Sequence, residues 1–489
     1  MYIKLPVAKS GDKEIFILSN MVNRHGIISG ATGTGKTVTL QVLAESFSSI
    51  GVPVFLADIK GDLSGISKSG ELTPKMQERL AKLGIKGIEF QGFPVVFWDI
   101  FGKDGHPIRI TISELGPILL GRILDLNETQ SGILSLIFKM ADEKELLILD
   151  FKDLKAVLKY AAENTSLISK EYGNINATSI GTIQRKLIEL EQQGAEIFFG
   201  EPAFDITNFI ECKDGLGVVN ILDATTLFNY PLLYSTFLLW LLSELFEILP
   251  EVGDLEKPKF VFFFDEAHLL FKDAPKIFID NIEKVVRLIR SKGVGVYFIT
   301  QNPMDIPQNI LGQLGNRFQH GLRAFTPNDQ KVIKAIAQNF RQNPSLNLLN
   351  DITELGLGEA IISLLDEEGR PSIAERGFIL PPKSKIGPIT QEEKKEIIKR
   401  SKYYGVYEKI VDRESAYELL TKRLESENIS QTIKKEEKKD KNINQKGNVE
   451  KNPFLDLMLD TIGSTLGGRT GKKILRGVFG TILGKKGRR

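Results

Sequence analysis

The octapeptide Gly30-Ala31-Thr32-Gly33-Thr34-Gly35-Lys36-Thr37 restricts what this chain can become more than any other feature. It follows the apolar pair Ile27-Ile28 and precedes Val38-Thr39-Leu40-Gln41-Val42-Leu43, which reads as a helix. A strand, a glycine-rich turn and a helix in that order form a phosphate-binding loop. The glycines let successive backbone N–H groups converge, and the helix N-terminus adds a positive dipole. Gly30, Thr32, Gly33, Thr34, Gly35, Lys36, Thr37 and Val38 are therefore expected to cradle a nucleoside triphosphate. Lys36 is expected to reach the β- and γ-phosphates, and the Thr37 hydroxyl to hold Mg²⁺. A chance glycine-rich turn is the alternative, and the strand–loop–helix setting argues against it.

A chain of 489 residues can hold one large α/β domain with accessory parts. Its net charge of +2 makes no case for nucleic acid by composition, yet leaves room for a local basic surface. One cysteine, Cys212, excludes an intramolecular disulfide and a thiolate-rich metal site, and fits a reducing cytoplasm. Residues Met1 to Leu18 mix charged and apolar side chains and lack the apolar centre of a signal peptide. The most apolar segment, Pro231 to Leu249, contains serines, Tyr234, Glu244 and Glu247, and reads as a buried helix rather than a membrane span. A cytoplasmic location is expected.

Short β-branched or aromatic runs recur beside helical patterns. They are Val54-Phe55-Leu56-Ala57, Val95-Val96-Phe97-Trp98, Val218 to Leu222, Phe260 to Phe264 and Val294 to Ile299. Near-continuous apolar strands between helices predict a mostly parallel sheet covered on both faces. Gly321 to Phe325 and Glu359 to Leu364 are expected to close it, with a helix near Gln330 to Phe340. From Thr111 to Glu211 helical periodicity takes over. The expected layout is an α/β core in two parts (1–110 and 213–382), an α-helical insertion (111–212) and a helical region (383–428). A charged linker (429–452) and a basic amphipathic tail (453–489) follow.

Phe260-Val261-Phe262-Phe263-Phe264-Asp265-Glu266 is an apolar strand ending in two acids. Downstream of a phosphate loop, Asp265 is expected to hold the Mg²⁺ shell and Glu266 to act as general base toward water. A glutamate there argues for sustained hydrolysis. Gln301 ends the next strand, where its amide can meet the γ-phosphate or the lytic water; an ordinary Gln-Asn-Pro turn is the alternative. Asp58 and Lys60 follow the Val54 strand, and carboxyl ends of parallel strands face the ligand crevice, so both are placed near the nucleotide. Arg287 and Arg290 share one helix face and are candidates to stabilise γ-phosphate charge in a neighbouring copy's site. A solvated helix face is the competing reading. His25 and His268 lack metal-ligand spacing and read as structural.

Together these residues resemble the HerA/FtsK superfamily, and within it the YjgR-like, HerA-like bacterial branch. The phosphate loop, Asp58-Ile59-Lys60-Gly61-Asp62, the strand ending Asp265-Glu266-Ala267-His268 and the stretch Arg287 to Pro303 carry the likeness. So do Leu126 to Gly132, Leu239 to Phe246, Leu314 to Phe318 and Leu322 to Pro327, over residues 1–405. The resemblance implies a RecA-like core, ATP and Mg²⁺ as ligands, and a ring-shaped, hexameric homo-oligomer. Each site would be completed by a neighbour's arginine, Arg290 first and Arg287 second. It also implies motor work on DNA. The phosphate loop begins at Gly30, which leaves no room for the N-terminal β-barrel of HerA proteins, so coupling to a nuclease by that route is not expected.

The segment from Arg469 to Arg489 carries eight basic residues and no acid, with apolar residues at helical spacing. It could touch DNA phosphates, an anionic membrane surface, a neighbouring subunit, a partner protein or its own chain. Three functions compete: a DNA motor, an ATP-controlled assembly scaffold, and a small-molecule kinase. Glu266 and Gln301 argue against the last.

Overall fold

The computed structural model describes residues 2–253, 255–271 and 276–426. The expected linker and basic tail lie outside the described residues. The chain divides into two compact units, 1–420 and 421–489; of the second, residues 421–426 are described and are helical.

Thirteen strands follow in chain order: β1 (Lys4–Ser10), β2 (Lys13–Leu18), β3 (Gly26–Ser29), β4 (Val54–Asp58), β5 (Val95–Trp98), β6 (Cys212–Lys213), β7 (Leu216–Gly217), β8 (Val219–Asp223), β9 (Phe260–Phe264), β10 (Val294–Thr300), β11 (Asn316–His320), β12 (Glu359–Ser363) and β13 (Glu375–Ile379). Eleven of them form one sheet in the order β2-β1-β13-β12-β11-β3-β10-β9-β4-β8-β5. From β11 to β5 all pairs are parallel, and the β2-to-β11 side is antiparallel. One strand, β10, separates the strand before the phosphate loop from the strand that ends in the two acids. That order is the core of a RecA-like phosphate-loop fold.

The strands alternate sides as a period of two demands. Phe55, Ala57, Phe260, Phe262 and Phe264 face one core, while Val54, Leu56, Val261 and Phe263 face the other. The helix Lys36–Ser49 covers the second face through Leu40, Leu43 and Phe47. The first face is covered by the helices between Ile112 and Phe198 and by Pro231–Ile248. Side chains such as Leu134, Leu158, Ile183 and Leu187 join the same apolar cluster as the sheet, so the helical segment shares the sheet's core. Phe237, Leu238, Leu241 and Leu245 bury the helix Pro231–Ile248 there.

Three placements differ from expectation. The closing parallel strand is Asn316–His320, and residues 321–325 are irregular. This strand looks polar but is buried, because its polar groups are paired: Asn316 Nδ2 donates to the carbonyls of Met21 and His25, and Gln319 Oε1 accepts from Ser29. The later helix begins at Pro327 and stops at Gln338, capped by Thr326. The N-terminal hairpin β1–β2 carries no strong sequence signal; it extends the sheet through β13.

Candidate nucleotide site

The phosphate loop runs from β3 to the N-terminus of the helix Lys36–Ser49, as the sequence predicts. Gly30, Gly33 and Gly35 have φ of 150°, 78° and 113°, a region that side chains disfavour. At Gly30 a Cβ would also lie 2.5 Å from the Cβ of His320. The loop is tied to its surroundings by backbone bonds from Ala31 N–H to the Gly321 carbonyl and from Gly358 N–H to the Thr34 carbonyl. Thr34 Oγ1 donates to the Ala31 carbonyl. Thr32 and Gly33 are exposed, and Thr37 and Val38 are half-buried at the helix start. Lys36 is buried, its ammonium 2.6 Å from the Gly30 carbonyl and 3.0 Å from that of Ala31. Burial and the nearby Lys60 charge lower its pKa.

Register brings the second half of the site level with the loop. Phe264 pairs with Phe298, and Ser29 with Thr300, so Asp265 and Glu266 emerge beside the loop's first residues, one strand removed. Asp265 is buried, and burial pushes its carboxyl up to about 6, tempered by Lys60. Its Oδ1 accepts from the Glu266 N–H at 2.9 Å. Glu266 adopts φ 48° and ψ 47°, a left-handed conformation that is strained for glutamate. Lys60 Nζ lies 2.8 Å from Glu266 Oε1 and 3.8 Å from Asp265 Oδ2. Burial alone would raise the Glu266 carboxyl, but the Lys60 hydrogen bond and charge hold it below its ordinary value. Gln301 Nε2 reaches Glu266 Oε2 at 3.5 Å, and His268 Nδ1 lies 3.4 Å from the same oxygen.

Asp58 has a different position from the one expected of a ligand contact. Its carboxylate accepts from the backbone N–H groups of Gly61, Asp62 and Leu63 at 2.7, 3.2 and 3.0 Å. It thereby fixes the loop that carries Lys60. Arg287 is exposed and Arg290 half-buried, both ahead of β10 at the sheet edge opposite the phosphate loop. Seven residues of strand separate that edge from Gln301, about 23 Å. Neither arginine serves the phosphate loop of its own chain.

Sequence reasoning missed two groups. His320 ends β11 with Nε2 2.8 Å from Thr39 Oγ1 and Nδ1 2.8 Å from the Glu359 carbonyl, and no periodic signal marks it. The Tyr234 hydroxyl is buried without a hydrogen-bond partner. Burial, and then the charge of Asp265, raise its pKa. His25 is buried and structural; its Nδ1 accepts from the Val296 N–H at 3.0 Å.

The residues fit a magnesium–triphosphate complex by their donor set. A glycine loop in left-handed conformations and a buried lysine lie beside two carboxylates; that of Asp265 is raised by burial and lacks a cation closer than 3.8 Å among the described residues. The profile of the helicase HerA-like C-terminal family matches residues 4–488. The chain belongs to that family. Among its HerA-like relatives, the DNA double-strand break repair helicase HerA of Sulfurisphaera tokodaii is 24% identical over 366 residues, which is 72% of this chain and 64% of the relative. The HerA of Sulfolobus acidocaldarius is 23% identical over 71% of this chain and 64% of its own length. This HerA-like chain thus spans less than two thirds of each. In fold it is similar to the plasmid coupling protein TrwB solved with a non-hydrolysable ATP analogue, at 15% identity and a TM-score of 0.48, covering 76% of this chain and 87% of that one.

Proposed function

We propose that this HerA-like chain is an ATP-hydrolysing ring motor that acts on DNA in the cytoplasm, with Mg-ATP cleaved between neighbouring copies of a hexamer. The observation that carries the reading is the position of Glu266. It stands beside the phosphate loop, one strand across, with its carboxylate in contact with Lys60, Gln301 and His268.

The loop N–H groups and Lys36 bind the β- and γ-phosphates. Thr37 and Asp265 would hold Mg²⁺, which supplies charge neutralisation on the phosphate oxygens. Gln301 orients a water near the terminal phosphorus, and Glu266 accepts its proton. The water oxygen bonds to the γ-phosphorus as the bond to the bridging oxygen breaks, giving ADP and inorganic phosphate. Arg290 of the neighbouring copy, with Arg287 second, stabilises the charge that develops. Gln301 leads into the segment 302–311, which can pass the state of the site onward. The HerA relatives are DNA double-strand break repair helicases, which supports DNA as the substrate of motion.

The deciding experiment measures ATPase rates of the purified chain with and without duplex and single-stranded DNA, with particle mass recorded alongside. DNA-stimulated turnover in a six-copy particle is expected. Turnover that ignores nucleic acid, in a chain that stays monomeric with nucleotide, overturns the motor reading. ATP-dependent assembly without DNA stimulation would favour the scaffold reading instead.

A further inference from the structure

Lys60 is a second lysine in the site, and its surroundings suggest more than an internal ion pair. Its ammonium makes the shortest contact to the Glu266 carboxylate among the described residues, 2.8 Å, and lies 3.8 Å from Asp265. An ammonium on Oε1 at that distance draws charge from the whole carboxylate and lowers its basicity, at the Oε2 that faces Gln301 as well. The Lys60 backbone is fixed, since Asp58 accepts three successive N–H groups of the same loop. The side chain is not fixed in the same way. It is 37% exposed and sits on a four-carbon stem, so its head can move while its anchor stays. The pair is open to solvent on the lysine side only, since the Glu266 side chain is 9% exposed.

The charge balance gives the head a reason to move. Lys36 and Lys60 face Asp265 and Glu266, and Asp62 adds a further carboxyl beside Lys60. A magnesium–triphosphate complex entering this cluster is a dianion with its charge concentrated on the terminal phosphate. A diphosphate brings less charge and leaves the terminal position without an anion.

We propose that Lys60 reads the terminal phosphate: its ammonium transfers from Glu266 to a γ-phosphate oxygen, which frees the general base only when a triphosphate is in place. The inference rests on the phosphate-loop hydrolysis described above and assigns Lys60 as a further residue of the same site. No bond to carbon or phosphorus changes in this step; one ammonium exchanges a carboxylate oxygen for a phosphate oxygen. Hydrolysis then returns it to Glu266, so the base is quenched until the next triphosphate binds.

The test compares Lys60→Met and Lys60→Arg with wild type in the full chain. The affinities for a non-hydrolysable ATP analogue and for ADP, both with Mg²⁺, are measured by calorimetry, with steady-state turnover alongside. In Lys60→Met the analogue is expected to weaken about tenfold while ADP stays within about threefold, and kcat falls about tenfold or more. Lys60→Arg, which keeps the charge, restores most of the preference for triphosphate. An unchanged ratio of analogue to ADP affinity in Lys60→Met overturns the proposal, because the lysine is then an internal ion pair in every state. Equal weakening of both nucleotides overturns it too, as the mark of a distorted loop. Wild-type protein that binds neither nucleotide would remove the underlying phosphate-loop reading, and that control separates the two failures.

Discussion

His320 Nε2 lies 2.8 Å from Thr39 Oγ1, against the inner side of the phosphate loop, while its Nδ1 faces the Glu359 carbonyl at 2.8 Å. These partners suit a neutral ring that donates to the carbonyl and accepts from the hydroxyl. Burial first, and the charge of Lys36 among the lesser causes, lower the His320 pKa to about 4. A histidine depressed in the folded state stabilises fully above its unfolded value near 6.5 and loses that contribution as pH falls toward 4. His320→Gln should therefore be less stable than wild type at pH 7.5. The gap should narrow by about 1.4 kcal/mol per pH unit below 6.5. Urea midpoints at several pH values check this. The difference between the two proteins carries the test, because Asp58 and Asp265, raised by burial to about 7 and about 6, shift stability in the opposite sense over the same range.

The same histidine explains why Gly30 and Gly33 are not equivalent. A Cβ at Gly30 would meet the His320 Cβ at 2.5 Å and its backbone at 3.1 Å, whereas one at Gly33 meets nothing within 4 Å. Gly33→Ala costs only the left-handed strain, about 1 kcal/mol. Gly30→Ala must displace β11 or the loop, and should cost about 2–4 kcal/mol and weaken nucleotide binding more than tenfold. Denaturation curves and fluorescent-nucleotide titration of both variants test the ranking; equal effects would refute it.

For the chemistry, Glu266→Gln should bind ATP and hydrolyse it at least about a hundredfold more slowly, since removing a positioned base costs that much or more. Its amide keeps the size of the side chain and still meets Gln301. Near-normal turnover in the variant would refute the base assignment. Lys36→Ala should lose nucleotide affinity instead, and intact binding would count against the phosphate-loop reading.

A buried carboxylate latches the C-terminal part of the core. Glu45, on the helix that starts at Lys36, accepts from the backbone N–H groups of Lys383 and Ser384 at 2.7 and 3.1 Å and from the Ser384 hydroxyl. Gln41, one turn earlier, donates to Ser384 Oγ and to the Lys385 carbonyl. Glu45→Ala strands two buried donors and should cost about 2–4 kcal/mol. Limited proteolysis near residues 383–389 and a lowered urea midpoint are the expected readouts. Unchanged protection of that segment would contradict the latch.

Much of this site was legible because its chemistry is local in sequence. The phosphate loop and the strand ending in Asp265-Glu266 each lie within nine residues, and apolar runs such as Phe260 to Phe264 announce a buried strand. What stayed hidden depends on long-range pairing. Asn316–His320 reads as polar, since its burial is made tolerable by Met21, His25 and Ser29, almost three hundred residues away. Asp58 looked like a ligand residue because it ends a central strand. An acid at a strand tip can equally cap its own loop, and Asp99 and Asp223 do so at the neighbouring tips. The role of Lys60 emerges only once β4 and β9 are adjacent.

The position of Arg290 supplies the last prediction. It precedes β10, and the phosphate loop lies beyond the far end of that strand, about 23 Å away. An arginine so placed cannot touch the phosphates bound by its own chain, so any catalytic use of it requires another copy. Arg290→Ala and Glu266→Gln should each abolish turnover alone. Mixed before assembly, an Arg290→Ala chain offers an intact Glu266 to a neighbour that still carries Arg290. With equal amounts and random order, roughly a quarter of the contacts are then complete, and ATPase activity should return to about that fraction. Arg287→Ala in the same mixture ranks the two arginines. If the mixture stays as inactive as its parts while particle mass shows rings, the shared-site assignment of Arg290 fails, and the hydrolysis assigned to Lys36 and Glu266 stands without it.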